Sequence, residues 1–203
     1  MTSYQISLFF VKDTIYNIDK VSNELLEKNV LLKNPLLIPQ QVNAPKEVNF
    51  PVIIFDKNEE FRIMANFYTM TINVIKSEKY NIMDIMNRIY DVLEKNNIKT
   101  YGIGFVYKSE IENAKIEDFK KQKILSEEII DSKCFEMSWL KYIRINNVDV
   151  NCWQRYFNIE GKISLNTLFD INTKEQDNNN VDRIFMQEFI KDSENYVKEN
   201  IFK

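Results

Sequence analysis

Two runs that alternate along much of their length flank a pair of asparagines in CFEMSWLKYIRI-NN-VDVNCWQRYFNI, from Cys134 to Ile159. Alternation of period two places successive side chains on opposite faces of an extended chain, and Asn-Asn tolerates the left-handed backbone of a tight hairpin turn. The segment therefore predicts an antiparallel hairpin about Asn146-Asn147, with Phe135, Met137, Trp139, Ile143 and Ile145 on one face. On the other strand Trp153, Arg155, Phe157 and Ile159 share a face, with Tyr142 and Arg144 as candidate neighbours. If the strands pair in this way, Cys134 lies opposite residues near Ile159, far from Cys152, so the two cysteines are expected as separate, reduced thiols.

The same period recurs elsewhere. Gln5–Val11, Val48–Phe55 and a long run from Phe61 to Ile75 read as strands, the last two as an antiparallel pair joined by the polar turn Asp56–Glu60. In TYGIGFVYKSEI, Thr100–Ile111, the residues Tyr101, Ile103, Phe105 and Tyr107 alternate against Gly102, Gly104 and Val106. KISLNTLFDINT places Ile163, Leu165, Phe169 and Ile171 inward and Asp170 outward, after a hairpin signal at Glu160-Gly161. Three segments instead carry the 3.6-residue period. Ile15–Asn29 has Ile18, Val21, Leu25 and Leu26 on one face and a cap at Asp13 or Thr14. Tyr80–Asn97 has an apolar stripe of Ile82, Ile85, Met86, Ile89 and Leu93. The last, from Val181, has Asn179 or Asn180 as cap and turns Ile184, Phe185, Phe189, Tyr196, Val197 and Ile201 inward.

The expected fold is α+β, a largely antiparallel sheet packed by helices. Its order is β-α-β-β-α-β over residues 1–112 and β-β-β-α over residues 113–203, with the charged stretch Glu110–Ile124 at the boundary. That order allows the halves to be related, although 203 residues are expected to form one body. All four prolines, Pro35, Pro39, Pro45 and Pro51, fall between Asn34 and Val52. One strand and one helix precede them, too little for a core, so the stretch reads as an extended strap leading into an edge strand.

Composition narrows the chemistry. The chain has no histidine and three glycines, which removes the usual general base and most phosphate cradles. Gly102 and Gly104 lack the third glycine and the strand-to-helix context of a nucleotide loop, and read as places for the close approach of a helix or for a bulge. A net charge of −3, with Lys and Arg dispersed, announces no basic arm. The one basic cluster is Lys115, Lys120, Lys121 and Lys123, interrupted by Glu117 and Asp118. No apolar run reaches the roughly 20 residues of a membrane span, and ISLFFVKD is too short for a signal peptide, so a cytoplasmic protein is expected. No catalytic, cofactor-binding or metal-binding set is identified.

The face of Trp153, Arg155 and Phe157, with Tyr142 and Arg144 beside it, admits three readings: a core strand with a snorkelling arginine, a protein-binding hot spot, or a platform for single-stranded RNA. The chosen expectation is a non-enzymatic protein that binds another protein, as an inhibitor or accessory subunit. The alternative is an RNA or single-stranded nucleic-acid module that also uses Lys115–Lys123. A carboxylate metal site built on Asp56, Asp149 and Asp170 is a third.

FPVIIFDKNEEFRIMANFYTMTINV, the tyrosine-led helix after it and TYGIGFVYKSEI resemble a sporadically distributed family of uncharacterised bacterial proteins. Tyr107-Lys108 stands where that family carries Tyr and Asn, and LFDINT, Leu168–Thr173, resembles one of its later strands. The family's patchy distribution implies a role in mobile elements or phage–host conflict.

Overall fold

The computed structural model describes residues 2–11, 16–28, 30, 36–38, 52–57, 61–66, 68–75, 80–112, 135–158, 164–173 and 181–201. Among them are nine strands: β1 (Thr2–Phe10), β2 (Leu36–Ile38), β3 (Val52–Lys57), β4 (Phe61–Ala65), β5 (Thr69–Val74), β6 (Thr100–Glu112), β7 (Glu136–Ile145), β8 (Val148–Phe157) and β9 (Ser164–Thr173). Three helices accompany them: α1 (Ile18–Glu27), α2 (Ile82–Lys95) and α3 (Arg183–Asn200). The strands form one sheet in the order β2-β3-β4-β5-β1-β6-β9-β8-β7, with every neighbouring pair antiparallel. This is the α+β architecture that the alternation implies, and the sheet runs unbroken from the first half into the second through the β6–β9 pair.

One face of the sheet is largely apolar along β1 and along β4 to β9. Ile6, Leu8 and Phe10 of β1, Ile63 of β4, Met70 and Ile72 of β5, Ile103 and Phe105 of β6, Phe169 and Ile171 of β9, and Cys152 and Tyr156 of β8 are all buried there. The helices pack on this face. Val21 and Leu25 of α1, Met86, Ile89 and Leu93 of α2, and Phe189, Ile190 and Val197 of α3 join the same core. Burial of so much apolar surface is the main stabilising term, at roughly 25 cal/mol per Å2 removed from water.

Several local expectations are corrected. The long strand from Phe61 breaks at Asn66, whose side-chain oxygen accepts from the backbone N–H of Tyr68 and of Thr69 at 2.8 and 2.9 Å. This turn folds β5 back on β4, so buried positions change from odd numbers before it to even numbers after it. α1 starts later than expected, capped by Asn17 accepting from Lys20 N–H, and α3 is capped by Asp182 accepting from Phe185 N–H. Ile184 points to solvent, because the stripe of α3 runs through Met186, Phe189, Ile190 and Val197. Within the proline-rich strap, Leu36–Ile38 pairs as a strand and supplies the edge itself: it is the outermost strand, and β3 lies one place inside it. Pro35, Pro39, Pro45, Pro51, Glu160-Gly161 and Cys134 lie outside the described residues.

Asn146 and Asn147 have φ of 47° and 61° and join β7 to β8 with Ile145 opposite Val148. Both asparagines adopt the left-handed backbone that this type of hairpin turn requires. A second irregularity falls between Phe9 and Phe10, where β1 pairs with Thr100 and Gly102 but skips Tyr101. The skipped tyrosine leaves the alternation of Ile103, Phe105 and Tyr107 and comes to lie beside Phe9, with ring centroids 6.2 Å apart.

Candidate functional site

The opposite face of the sheet carries no helix among the described residues. Register places its side chains in rows across the strands. One row runs Met64, Thr71, Ser7, Gly104, Asn172, Asn151, Tyr142, and the next Arg62, Asn73, Gln5, Val106, Asp170, Trp153, Leu140. Short polar groups link neighbours within the first row. Ser7 and Thr71 hydroxyls lie 3.2 Å apart, and Asn151 Nδ2 donates to Asn172 Oδ1 at 3.3 Å.

At the β7–β8 end the rows turn aromatic. Trp153 is 46% exposed and lies directly opposite Leu140, which is 38% exposed, while Tyr142 opposite Asn151 is 68% exposed. Arg155 and Phe157 continue the same face and are half-buried, with the guanidinium 5.1 Å from the phenyl centroid. All five residues expected to bind a partner, Trp153, Arg155, Phe157, Tyr142 and Arg144, therefore share the helix-free side. The core reading of this strand face is overturned: the residues of β8 that enter the core are Val150, Cys152, Gln154 and Tyr156. Leu140 is the member that inspection of single strands misses. The Asn146-Asn147 turn contains the signal, since it sets a register that pairs Leu140 with Trp153.

Both arginines of the patch are matched by carboxylates. Arg155 Nη2 donates to Glu136 at 2.7 Å, and this hydrogen bond holds the Glu136 carboxyl below its ordinary pKa. Arg144 Nε lies 3.9 Å from Asp149, and also donates to the Asn147 carbonyl at 3.4 Å. Among the described residues, the aromatic centre is thus bordered by two ion pairs. Lys115, Lys120, Lys121 and Lys123 lie outside the described residues.

Under this patch the covered face is locked by a polar relay. Gln154 accepts from Trp139 Nε1 at 2.6 Å and donates to the Tyr196 hydroxyl of α3 at 3.2 Å. Trp139 also stacks on Tyr156 with centroids 5.3 Å apart. The relay ties β8 to β7 and to α3 beneath what stands on its other side. Cys152 belongs to the covered face: it is fully buried, and desolvation pushes its thiol up to about 11. A thiol so far from ionisation is a core group, unsuited to act as a nucleophile.

The glycine pair of β6 lies on the helix-free face, so it does not admit a helix. What approaches is the Phe9 ring and Thr173: a methyl group on Gly102 would meet Thr173 Oγ1 at 3.0 Å and Phe9 Cδ2 at 3.4 Å. The bulge between Phe9 and Phe10 is adjacent, as the alternative reading of the pair expected. Asp149 and Asp170 share this face but have different partners, Arg144 for one and Asn172 Nδ2 at 3.1 Å for the other. No group of three His, Cys, Asp or Glu side chains converges among the described residues, and no described helix is long and apolar enough to cross a membrane.

No model of a known protein family matches the chain, and no curated protein matches it significantly.

Proposed function

We propose that the chain is a non-enzymatic binding protein whose working surface is the helix-free face of β7 and β8. The observation that carries this reading is the contiguous group Leu140, Tyr142 and Trp153, exposed together on one strand pair and bordered by the Arg155–Glu136 and Arg144–Asp149 pairs. Large aromatic side chains ringed by polar groups are the arrangement that concentrates binding energy in protein interfaces. The biological setting that fits is cytoplasmic, with the chain acting as an inhibitor or accessory subunit in a bacterial or phage system. A nucleic-acid partner is less well supported by the described residues, because binding to a phosphate backbone draws on cations free to displace counterions, and both arginines here already face carboxylates.

The test is affinity capture from the source organism or its host, comparing the native chain with Trp153→Ala and Tyr142→Ala baits, with and without nuclease. The expected result is a protein retained after nuclease treatment and lost from the Trp153→Ala bait. Loss of capture on nuclease treatment would move the reading to the nucleic-acid alternative. Capture unaffected by either substitution would remove this face from the binding site.

A further inference from the structure

The aromatic patch leaves one feature of the same face unexplained. Across the β8–β9 ladder from Trp153 lies Asp170, and its carboxylate lines a cavity of about 260 Å3 at the centre of the sheet. The floor is Gly104 and Gly102, where β6 presents no side chain. Phe9 and Tyr101 close one end, with their rings tilted 42° to one another. On the β1 wall stand Gln5 and Ser7, and on the β9 wall Asn172.

Three properties of this cavity define what it can hold. Among the described residues, Asp170 is the one charged member of its lining and no Lys or Arg pairs with it, so an entering group is favoured if it is cationic. The volume falls below the roughly 300–1,000 Å3 of a cavity for a drug-sized ligand or cofactor, and suits a single long side chain. The walls offer a carboxylate, amides and a hydroxyl, while the end wall offers aromatic rings. A planar cation with several N–H donors can stack on a ring and donate to several acceptors at once, whereas an ammonium is a point charge.

We infer that this cavity receives an arginine side chain of the protein partner that covers the Trp153 patch. The inference rests on the reading of this face as a protein-binding surface, and it adds the partner's chemistry: an arginine placed about one strand spacing from the residues that cover Trp153. The step from β9 to β8 is about 4.8 Å, so one partner segment can contact both.

The experiment uses the full chain labelled with 15N and titrated with Nα-acetyl-L-arginine N-methylamide, which imitates an arginine within a polypeptide. Matched citrulline and lysine derivatives and free arginine serve as comparisons. Saturable shifts centred on the amides of Gly104, Asp170 and Asn172 are expected, with a millimolar dissociation constant, as suits one side chain. The neutral citrulline derivative should bind about tenfold more weakly, because the extra strength of a charge-assisted hydrogen bond over a neutral one corresponds to about that factor in affinity.

Asp170→Asn should weaken binding by a similar factor while preserving an acceptor for Asn172. Gly104→Ala should weaken it by filling the floor; the new methyl would meet no atom closer than 3.7 Å, so the fold tolerates it. Equal binding of the citrulline derivative, unchanged binding by Asp170→Asn, or no saturable shift would overturn the inference. A lysine derivative bound as tightly as the arginine one would overturn the guanidinium assignment. Free arginine bound more tightly than the blocked form would indicate a free amino-acid site instead of a partner's side chain. Each of these failures leaves the capture experiment with Trp153→Ala unaffected, since that reads a different residue against a whole partner.

Discussion

Tyr90 is buried where α2 meets the start of α3, and its hydroxyl donates to the Val181 carbonyl beside Thr100 Oγ1, which lies 3.1 Å away. Thr100 Oγ1 reaches the same carbonyl at 2.6 Å, and the Val181 N–H returns to the Thr100 carbonyl at 3.1 Å. Five polar groups thus tie a helix, a strand and the entry to a second helix inside an apolar shell. Desolvation raises the Tyr90 pKa, so the hydroxyl remains a donor across the neutral range. Removing it by Tyr90→Phe should cost about 1 kcal/mol, the net worth of a buried hydrogen bond whose acceptor keeps a second donor. Urea denaturation of the native and substituted chains measures this, and an unchanged midpoint would show that Thr100 alone satisfies Val181. Tyr90 is absent from the apolar stripe read from the sequence, because a tyrosine at that helical position is equally consistent with an exposed ring. Its burial depends on α3 arriving from about ninety residues away.

The three helices are fastened to one another as well as to the sheet. Asp91 of α2 accepts from Arg183 of α3 at 2.6 Å and from Lys28, at the end of α1, at 3.2 Å. Glu94 adds a second contact to Arg183 at 2.7 Å, and Glu24 of α1 meets Lys95 of α2 at 2.9 Å. The hydrogen bond from Arg183 is the main cause that lowers the Asp91 pKa, with Lys28 contributing. A carboxyl depressed in the folded state adds stability that is fully present above its unfolded pKa of about 3.9 and is lost as pH falls through the folded value. Asp91→Asn should therefore lower the urea midpoint at neutral pH, and the gap to the native chain should close as pH falls from about 5 towards 2. A gap that stays constant over that range would show that Asp91 acts by packing rather than by charge.

At this scale much was legible from local pattern. The stripes of α1 and α2, the Asn146-Asn147 hairpin and the faces of β7, β8 and β9 follow from periodicity alone. Periodicity does not fix the starts of α1 and α3 or the break at Asn66, because several Asn, Asp and Thr residues offer equivalent caps and turns. Which one is used depends on what packs beside it: Tyr16, just before Asn17, is buried against Phe10 and donates its hydroxyl to the Asn66 carbonyl.

For the molecule as a whole, the unequal treatment of the two sheet faces is the decisive property. A side chain on the covered face packs against the helices as well as the sheet, and among the described residues one on the other face meets no helix. Phe169→Ala should cost about 3–5 kcal/mol by opening a cavity beneath the helices, while Trp153→Ala, one strand away on the opposite face, should cost less than about 1 kcal/mol. Thermal unfolding of the two variants checks this, and comparable losses would mean that Trp153 is a structural residue. Alternation by itself settled which side chains share a face, and the asparagine turn settled the β7–β8 register, because both are properties of neighbouring residues. Residue spacing could not determine which face the helices would cover, or that β6 would pair with β1 on one side and β9 on the other. Those choices depend on closing a nine-stranded sheet across long stretches of chain. They placed Trp153 outside the core, and they brought Asp170, Phe9 and the glycines of β6, distant in sequence, around one small cavity.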